Sequence, residues 1–248
     1  FEYVSFITLI GSLFVVSGGI HIRIKGRSTP IRNVVLLGIG AIVSNFIGTT
    51  GASMLLIRPF IRSNKYRISG FHIVFFIFIV SNIGGALTPI GDPPLFLGYL
   101  QGIPFFWVLE NVYLEWLITV SLVLLVFFVF DYISFKKLPD TMEHDIESTE
   151  ETAELSGIHN VLFLFVILAS VFIQKPMFLR ELLMIVAAIG SYLTTRKEVH
   201  QKNDFNFLPI KEVALLFVGI FATMIPALQW LEVNASQIGI QTAGQFYW

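Results

Sequence analysis

From Trp116 to Phe130 the chain carries no charge, and the core of that run, ITVSLVLLVFFVF, is apolar almost throughout. A helix needs about 20 such residues to cross a hydrocarbon layer about 30 Å thick. Several other segments reach about that length. None alternates in polarity as a barrel strand does. Composition agrees: 55% of the 248 residues are hydrophobic and 13% are charged, about half the charged share of an ordinary soluble domain. Mean hydropathy is +0.77. The expected fold class is therefore all-α integral membrane, polytopic. The 25 Phe read as lipid-facing bulk. A net charge of −1 offers no basic surface to nucleic acid, and the absence of Cys removes disulfides and thiolate metal sites.

Hydropathy divides the chain into a first membrane part over 1–137, a hydrophilic acidic linker over 138–157, and a second membrane part over 158–248. Spans are expected at 3–22, 113–135, 158–174, 182–195 and 213–230. The linker, LPDTMEHDIESTEETAELSG, is too polar and too acidic to pack and is expected to be solvated. The sequence starts at Phe1 inside an apolar run and stops at Trp248. It is expected to be a truncated piece of a longer protein.

Charge constrains the segment between Asn33 and Ile57. One basic loop precedes it (Arg23, Lys25, Arg27, Arg32) and another follows (Arg58, Arg62, Lys65, Arg67). Basic loops collect on the cytoplasmic side. A single crossing helix would separate these two loops, whereas a re-entrant hairpin over 30–63 keeps them together. Its turn falls in SNFIGTTGAS, which holds Gly48, Gly51 and five hydroxyl or amide side chains. With that hairpin, every one of the 16 Lys and Arg except Lys175 and Arg180 lies inside. One ordinary span over 33–57 is the alternative.

A second interruption lies in SNIGGALTPIGDPPLF, residues 81–96, inside a broken span expected over 69–102. Pro93 and Pro94 both lack an N–H, so a helix does not run through them. Irregular backbone at membrane depth is tolerated only where protein buries it or where it lines a wet cavity. Opened helix ends expose carbonyls to cations and N–H groups to anions, and two such breaks that meet are a pointer to a transport site. The candidate ion-binding residues are Ser44, Asn45, Thr49 and Thr50 in the first break. In the second they are Ser81, Asn82, Thr88, Pro89, Gly91 and Asp92. Asp92 has two readings. It is a helix N-cap ahead of proline, or it also exchanges a proton for a cation, since an acid at this depth is a functional hypothesis by default.

Other polar residues carry less. His21 and His72 flank spans and read as interfacial. Asp131 is expected to meet the basic pair Lys136–Lys137, and Glu115 to reach the outer surface. Trp107, Tyr113 and Trp116 fit an outer aromatic belt. There is no nucleotide-binding loop and no His/Glu cluster for metal catalysis. An intramembrane protease needs a catalytic Ser/His or paired-Asp arrangement within spans, and only one acid is well placed. A channel would use the same broken helices without saturating.

SNFIGTTGAS followed by SNIGGALTPIGDPPLF resembles the ion transporter superfamily of secondary carriers, which includes citrate transporters and D-type sodium:proton antiporters. The resemblance implies inverted repeats, re-entrant hairpins, alternating access and a homodimer in a bacterial inner membrane. It implies a Na⁺ site near Ser44, Asn45, Thr88 and Gly91, with Na⁺ and H⁺ as transported or coupling ions and no other cofactor. It covers Phe1 to about Phe135 well and the remainder loosely, as the start of a second repeat. The sequence departs from the pattern at three places. No Thr directly follows Asn45, Leu95 stands where carboxylate carriers often have Asn, and Asp92 replaces a small neutral residue. An acid there favours a cation over an anion. Sodium:proton antiport is the expected activity, with Na⁺- or H⁺-coupled uptake of citrate or a similar carboxylate as the alternative. An enzyme is not expected.

Overall fold

The structure is a computed structural model that describes residues 2–25, 29–138, 152–173, 175, 176 and 178–238. Its helices are α1 (Glu2–Gly18), α2 (Pro30–Ser63), α3 (Gly70–Ile79), α4 (Pro93–Leu100), α5 (Trp107–Lys136), α6 (Asn160–Ser170), α7 (Leu179–Thr194), α8 (Lys197–Lys202) and α9 (Leu208–Ile238). A 3₁₀ turn covers Ile83–Gly85, and two short strands, β1 (His21–Lys25) and β2 (Thr152–Ser156), pair antiparallel. The protein is an all-α membrane protein. Among the described residues three stretches, Pro30–Ser63, Trp107–Lys136 and Leu208–Leu231, are long and apolar enough to cross a bilayer.

The longest helix is not one rod. Gly48 sits inside α2 at φ 76°, ψ 155°, a conformation that an L side chain resists. A straight helix would hold Asn33 and Asn64 roughly 45 Å apart at 1.5 Å per residue. Instead their side-chain amides exchange two hydrogen bonds, at 2.8 and 2.9 Å. The helix folds back on itself at Gly48 and forms a hairpin with arms 30–47 and 49–63, about 27 and 22 Å long. Gly40 lets the arms and the chain after α3 approach. A Cβ there would stand 2.7 Å from Val80 Cγ2 and 3.0 Å from Leu56 Cδ1. Leu37, Leu56, Phe60, Phe76, Ile79 and Phe127 fill the space between hairpin, α3 and α5.

Several boundaries differ from the sequence expectation. The first span was placed over 3–22, but its helix ends at Gly18, and His21–Lys25 is extended. Asn203 stops the helix by donating to the carbonyls of Gly18 (2.9 Å) and Ile20 (2.7 Å). The linker expected to be solvated over 138–157 contributes Thr152–Ser156 to the two-stranded ribbon, in which Arg23 stands opposite Glu154. Unpaired backbone at the end of a span needs partners, and the second strand supplies them. Residues 139–151 lie outside the described region. Helix α5 starts at Trp107 rather than near Tyr113. Helix α6 covers Asn160–Ser170 of the span placed over 158–174, and α7 starts at Leu179 rather than at Leu182.

Residues Glu2–Phe205 form one compact unit. The chain from Asn206 onward belongs to another, described so far as Ile238, where α9 is a long helix with Pro226 inside it. Its start at Leu208 precedes the span expected over 213–230.

Candidate functional site

The tip of the α2 hairpin docks on the broken segment between α3 and α4, and backbone groups do most of the joining. Helix α3 stops at Ile79, and the chain crosses Val80–Asp92 without regular helix before α4 begins at Pro93. Opened carbonyls there need donors. Asn45, buried near the tip, supplies them. Its Nδ2 donates to Ala41 O (3.0 Å) and to Gly84 O (2.6 Å), while its Oδ1 accepts from Leu87 N (3.0 Å). Ser44 Oγ lies 2.8 Å from both Gly40 O and Val80 O. Thr88 Oγ1 donates to Asn45 O (2.6 Å) and accepts from Gly91 N (3.1 Å). Thr49 N donates to Gly91 O (3.2 Å). Ser53 and Ser81 hydroxyls meet at 2.7 Å.

Two glycines make this approach possible. A Cβ on Gly85 would stand 2.5 Å from Gly91 O and 2.6 Å from Thr49 Cγ2, and one on Gly91 would run into the Gly85 carbonyl. Only bare backbone fits at that crossing.

Of the sequence-derived candidates, the structure brings together Ser44, Asn45, Thr49, Ser81, Thr88 and Gly91. Pro89 is buried beside them. The side chains of Thr50, Asn82 and Asp92 are not joined to the group by any hydrogen bond among the described residues, and Asn82 is exposed. After these bonds, Asn45 Oδ1, Thr88 Oγ1 and Gly91 O each keep one lone pair. Three neutral oxygens of this kind suit a hard monovalent cation.

Asp92 is the informative member. It occupies the N-cap position of α4 with extended backbone, yet its side chain makes no capping hydrogen bond. The reason lies in the sequence. A cap binds the second or third N–H of the helix; Pro94 has none, and Leu95 N, with Phe96 N, donates to the Asp92 carbonyl (3.1 and 3.2 Å). The carboxylate is half-buried and left over. The same bookkeeping means that α4 presents no spare N–H to an anion in its first turn.

A cavity of about 440 Å³ opens against this site. Asn45 and Thr88 face it together with Ile42, Phe46, Leu87 and Phe172, and among the described residues no charged side chain lines it. Trp116 belongs to its wall. The sequence placed Trp116 in an outer aromatic belt, but its Nε1 donates to Ile83 O at 2.8 Å within the break. A partly apolar ring with one donor suits such a place, where most neighbours are hydrocarbon and one carbonyl is open. Replacing Trp116 with Phe is expected to cost about 0.5–1.5 kcal/mol for that bond. The change should appear as a lower unfolding temperature in detergent with monodispersity retained; an unchanged temperature would show that the bond contributes nothing.

A second polar group, missed in the sequence, sits at the base of the hairpin. Asp131 was expected to meet Lys136–Lys137. Instead it is fully buried and receives Arg67 through both terminal nitrogens, Nη2 at 3.0 Å. Asn33 Nδ2 (2.8 Å) and His72 Nε2 (3.0 Å) complete its shell. His72 is not interfacial either: it is fully buried and stacks on Phe71 at 4.1 Å between centroids. Its Nδ1 accepts from Ser69 N at 3.3 Å, so His72 takes the place of Glu in a capping box that starts α3. The spacing Ser-x-x-His was a readable signal.

The model for a family described as "Putative citrate transport" matches residues 1–244. The chain belongs to this family. No curated protein and no solved structure matches it. Membership in the citrate-transport family makes the protein a multi-pass citrate/ion-transporter relative, and makes an enzyme the weaker expectation.

Proposed function

We propose that this citrate-transport family member handles the cation of an ion-coupled secondary carrier, and that its activity is sodium:proton antiport by alternating access. The observation that carries the reading is the leftover carboxylate of Asp92, half-buried beside a docked pair of helix breaks. An ionisable group at membrane depth is stabilised either by a proton or by a bound cation. Asp92 therefore binds H⁺ and Na⁺ in alternation. The neutral oxygens of Asn45, Thr88 and Gly91 complete the cation's shell, with Ser44, Thr49, Thr50, Ser81 and Asn82 on the surrounding backbone. The working protein on this reading is a homodimer of inverted repeats in a bacterial inner membrane.

The family description, citrate transport, supports a second reading, which we take as uptake of citrate coupled to Na⁺ or H⁺. In that case the cation site drives the cycle and groups outside the Asp92 neighbourhood neutralise the citrate. One experiment separates the two. The full-length gene product goes into proteoliposomes with an acidic interior and a pH dye. Under antiport, Na⁺ or Li⁺ alone collapses the gradient, and Asp92→Asn abolishes the effect while the protein stays folded. Under symport, cations alone do nothing and labelled citrate enters only with a Na⁺ or H⁺ gradient. Antiport that persists unchanged in Asp92→Asn removes the mechanism.

A further inference from the structure

A cleft of about 660 Å³ lies between the chain entering α6 and the α7–α8 connection, far in sequence from the two breaks. Arg196 and Lys202 line it, with His159 and Glu198. None of the four is joined to an ion pair among the described residues, although Glu198 is close enough in sequence to take part of the charge. The cleft is on the side of the molecule where the ends of α1 and α7 and the start of α6 come together. Asn160 there bonds Gly19 O (2.8 Å) and Thr195 Oγ1 (2.9 Å).

The surroundings decide what kind of anion fits. Leu155, Ile158, Leu162 and Leu193 are 58–75% exposed, and Ile158 is itself part of the cleft wall. In a membrane protein such side chains face acyl chains. A cleft with two bases and Ile158 in its wall, and with exposed Leu155, Leu162 and Leu193 close by in sequence, matches a molecule with a phosphate at one end and acyl chains at the other. Basic pockets between membrane helices bind anionic headgroups.

We infer that this cleft binds the phosphodiester headgroup of an anionic phospholipid, held by Arg196 and Lys202, with the acyl chains lying on Leu155, Ile158, Leu162 and Leu193. The site is separate from the Asp92 group and stands or falls without it.

The full-length gene product is reconstituted in phosphatidylcholine nanodiscs with increasing phosphatidylglycerol, and the lipid that stays bound is counted by native mass spectrometry. Wild type should retain phosphatidylglycerol over phosphatidylcholine. The double variant Arg196→Gln/Lys202→Gln should bind it roughly ten-fold more weakly, since each base near an anionic surface contributes on the order of a several-fold gain. A matched control, Arg62→Gln/Lys65→Gln, removes two exposed charges from another basic loop and should leave retention unchanged. Equal loss in that control would mean diffuse surface charge and would overturn the site. So would equal retention of the two lipids, or a double variant that behaves as wild type. A third arm adds inorganic phosphate in pure phosphatidylcholine. If phosphate alone raises the unfolding temperature of wild type but not of the double variant, and phosphatidylglycerol does no better than phosphatidylcholine, the anion is soluble and the lipid assignment is overturned.

Discussion

Asp131→Ala is expected to destabilise the protein by about 3–5 kcal/mol, the range seen when one partner of a buried ion pair is removed. The variant leaves the Arg67 guanidinium, whose side chain is 1% exposed, without its carboxylate. It also removes one of the two acceptors of Asn33 Nδ2 and the partner of His72 Nε2. Asn33 ties one end of the hairpin to Asn64 at the other, and His72 starts α3, so three elements lose their common anchor. Asp131→Asn keeps the shape but turns an amide toward a group of donors, and should be nearly as damaging. Replacing both charges tests whether the loss is electrostatic. Asp131→Leu with Arg67→Met should recover much of the stability, because a buried pair exchanged for apolar residues of similar volume is often neutral. Thermal unfolding in detergent, followed by size-exclusion fluorescence, reads all three. An Asp131→Ala protein within about 1 kcal/mol of wild type would mean that the group is not an anchor.

What could be read from the sequence was local and periodic. The two breaks announced themselves, because glycine and proline change the backbone wherever they stand. The fold-back of α2 followed from charge, since both flanking loops were basic, and Gly48 lies inside the stretch chosen for the turn. Partners far apart in sequence were not legible. Asp131 finds His72 and Arg67, 59 and 64 positions away, across packed helices. The expected local pairing with Lys136 and Lys137 was also weak on its own terms, because only residues three and four apart face each other on a helix. The β1–β2 ribbon was hidden for a related reason: strand pairing joins a basic stretch to the end of an acidic linker more than a hundred residues later. Trp116 looked like a belt residue because nothing in its own segment shows the open carbonyl of Ile83. At the site, the sequence named most of the tip residues, but not that Asn45 alone would bridge three backbone groups of two elements.

Gly91→Ala is expected to abolish transport while leaving a membrane-inserted protein. The added methyl has nowhere to go: its Cβ would enter the Gly85 carbonyl, a backbone atom that no rotamer change can move. The crossing of residues 85 and 91 must open. Two bonds depend on its closure, the one from Thr49 N to Gly91 O (3.2 Å) and the one from Gly91 N to Thr88 Oγ1 (3.1 Å). With those gone, the hairpin tip loses its hold on Gly91 while Asn45 and Ser44 keep theirs on the break, and the cation shell proposed from Asn45, Thr88 and Gly91 is disrupted. The long apolar helices are untouched, so insertion should survive. Gly85→Ala should behave alike, with its Cβ 2.5 Å from Gly91 O. Gly70→Ala is the control. It lies at the start of α3 with nothing within 4 Å of an added Cβ, and alanine there should be neutral or stabilising by up to about 1 kcal/mol. Proteoliposome flux measured at matched protein density separates the three. Full flux in Gly91→Ala would mean that the docked break seen here is not needed for turnover, and that the ion passes elsewhere.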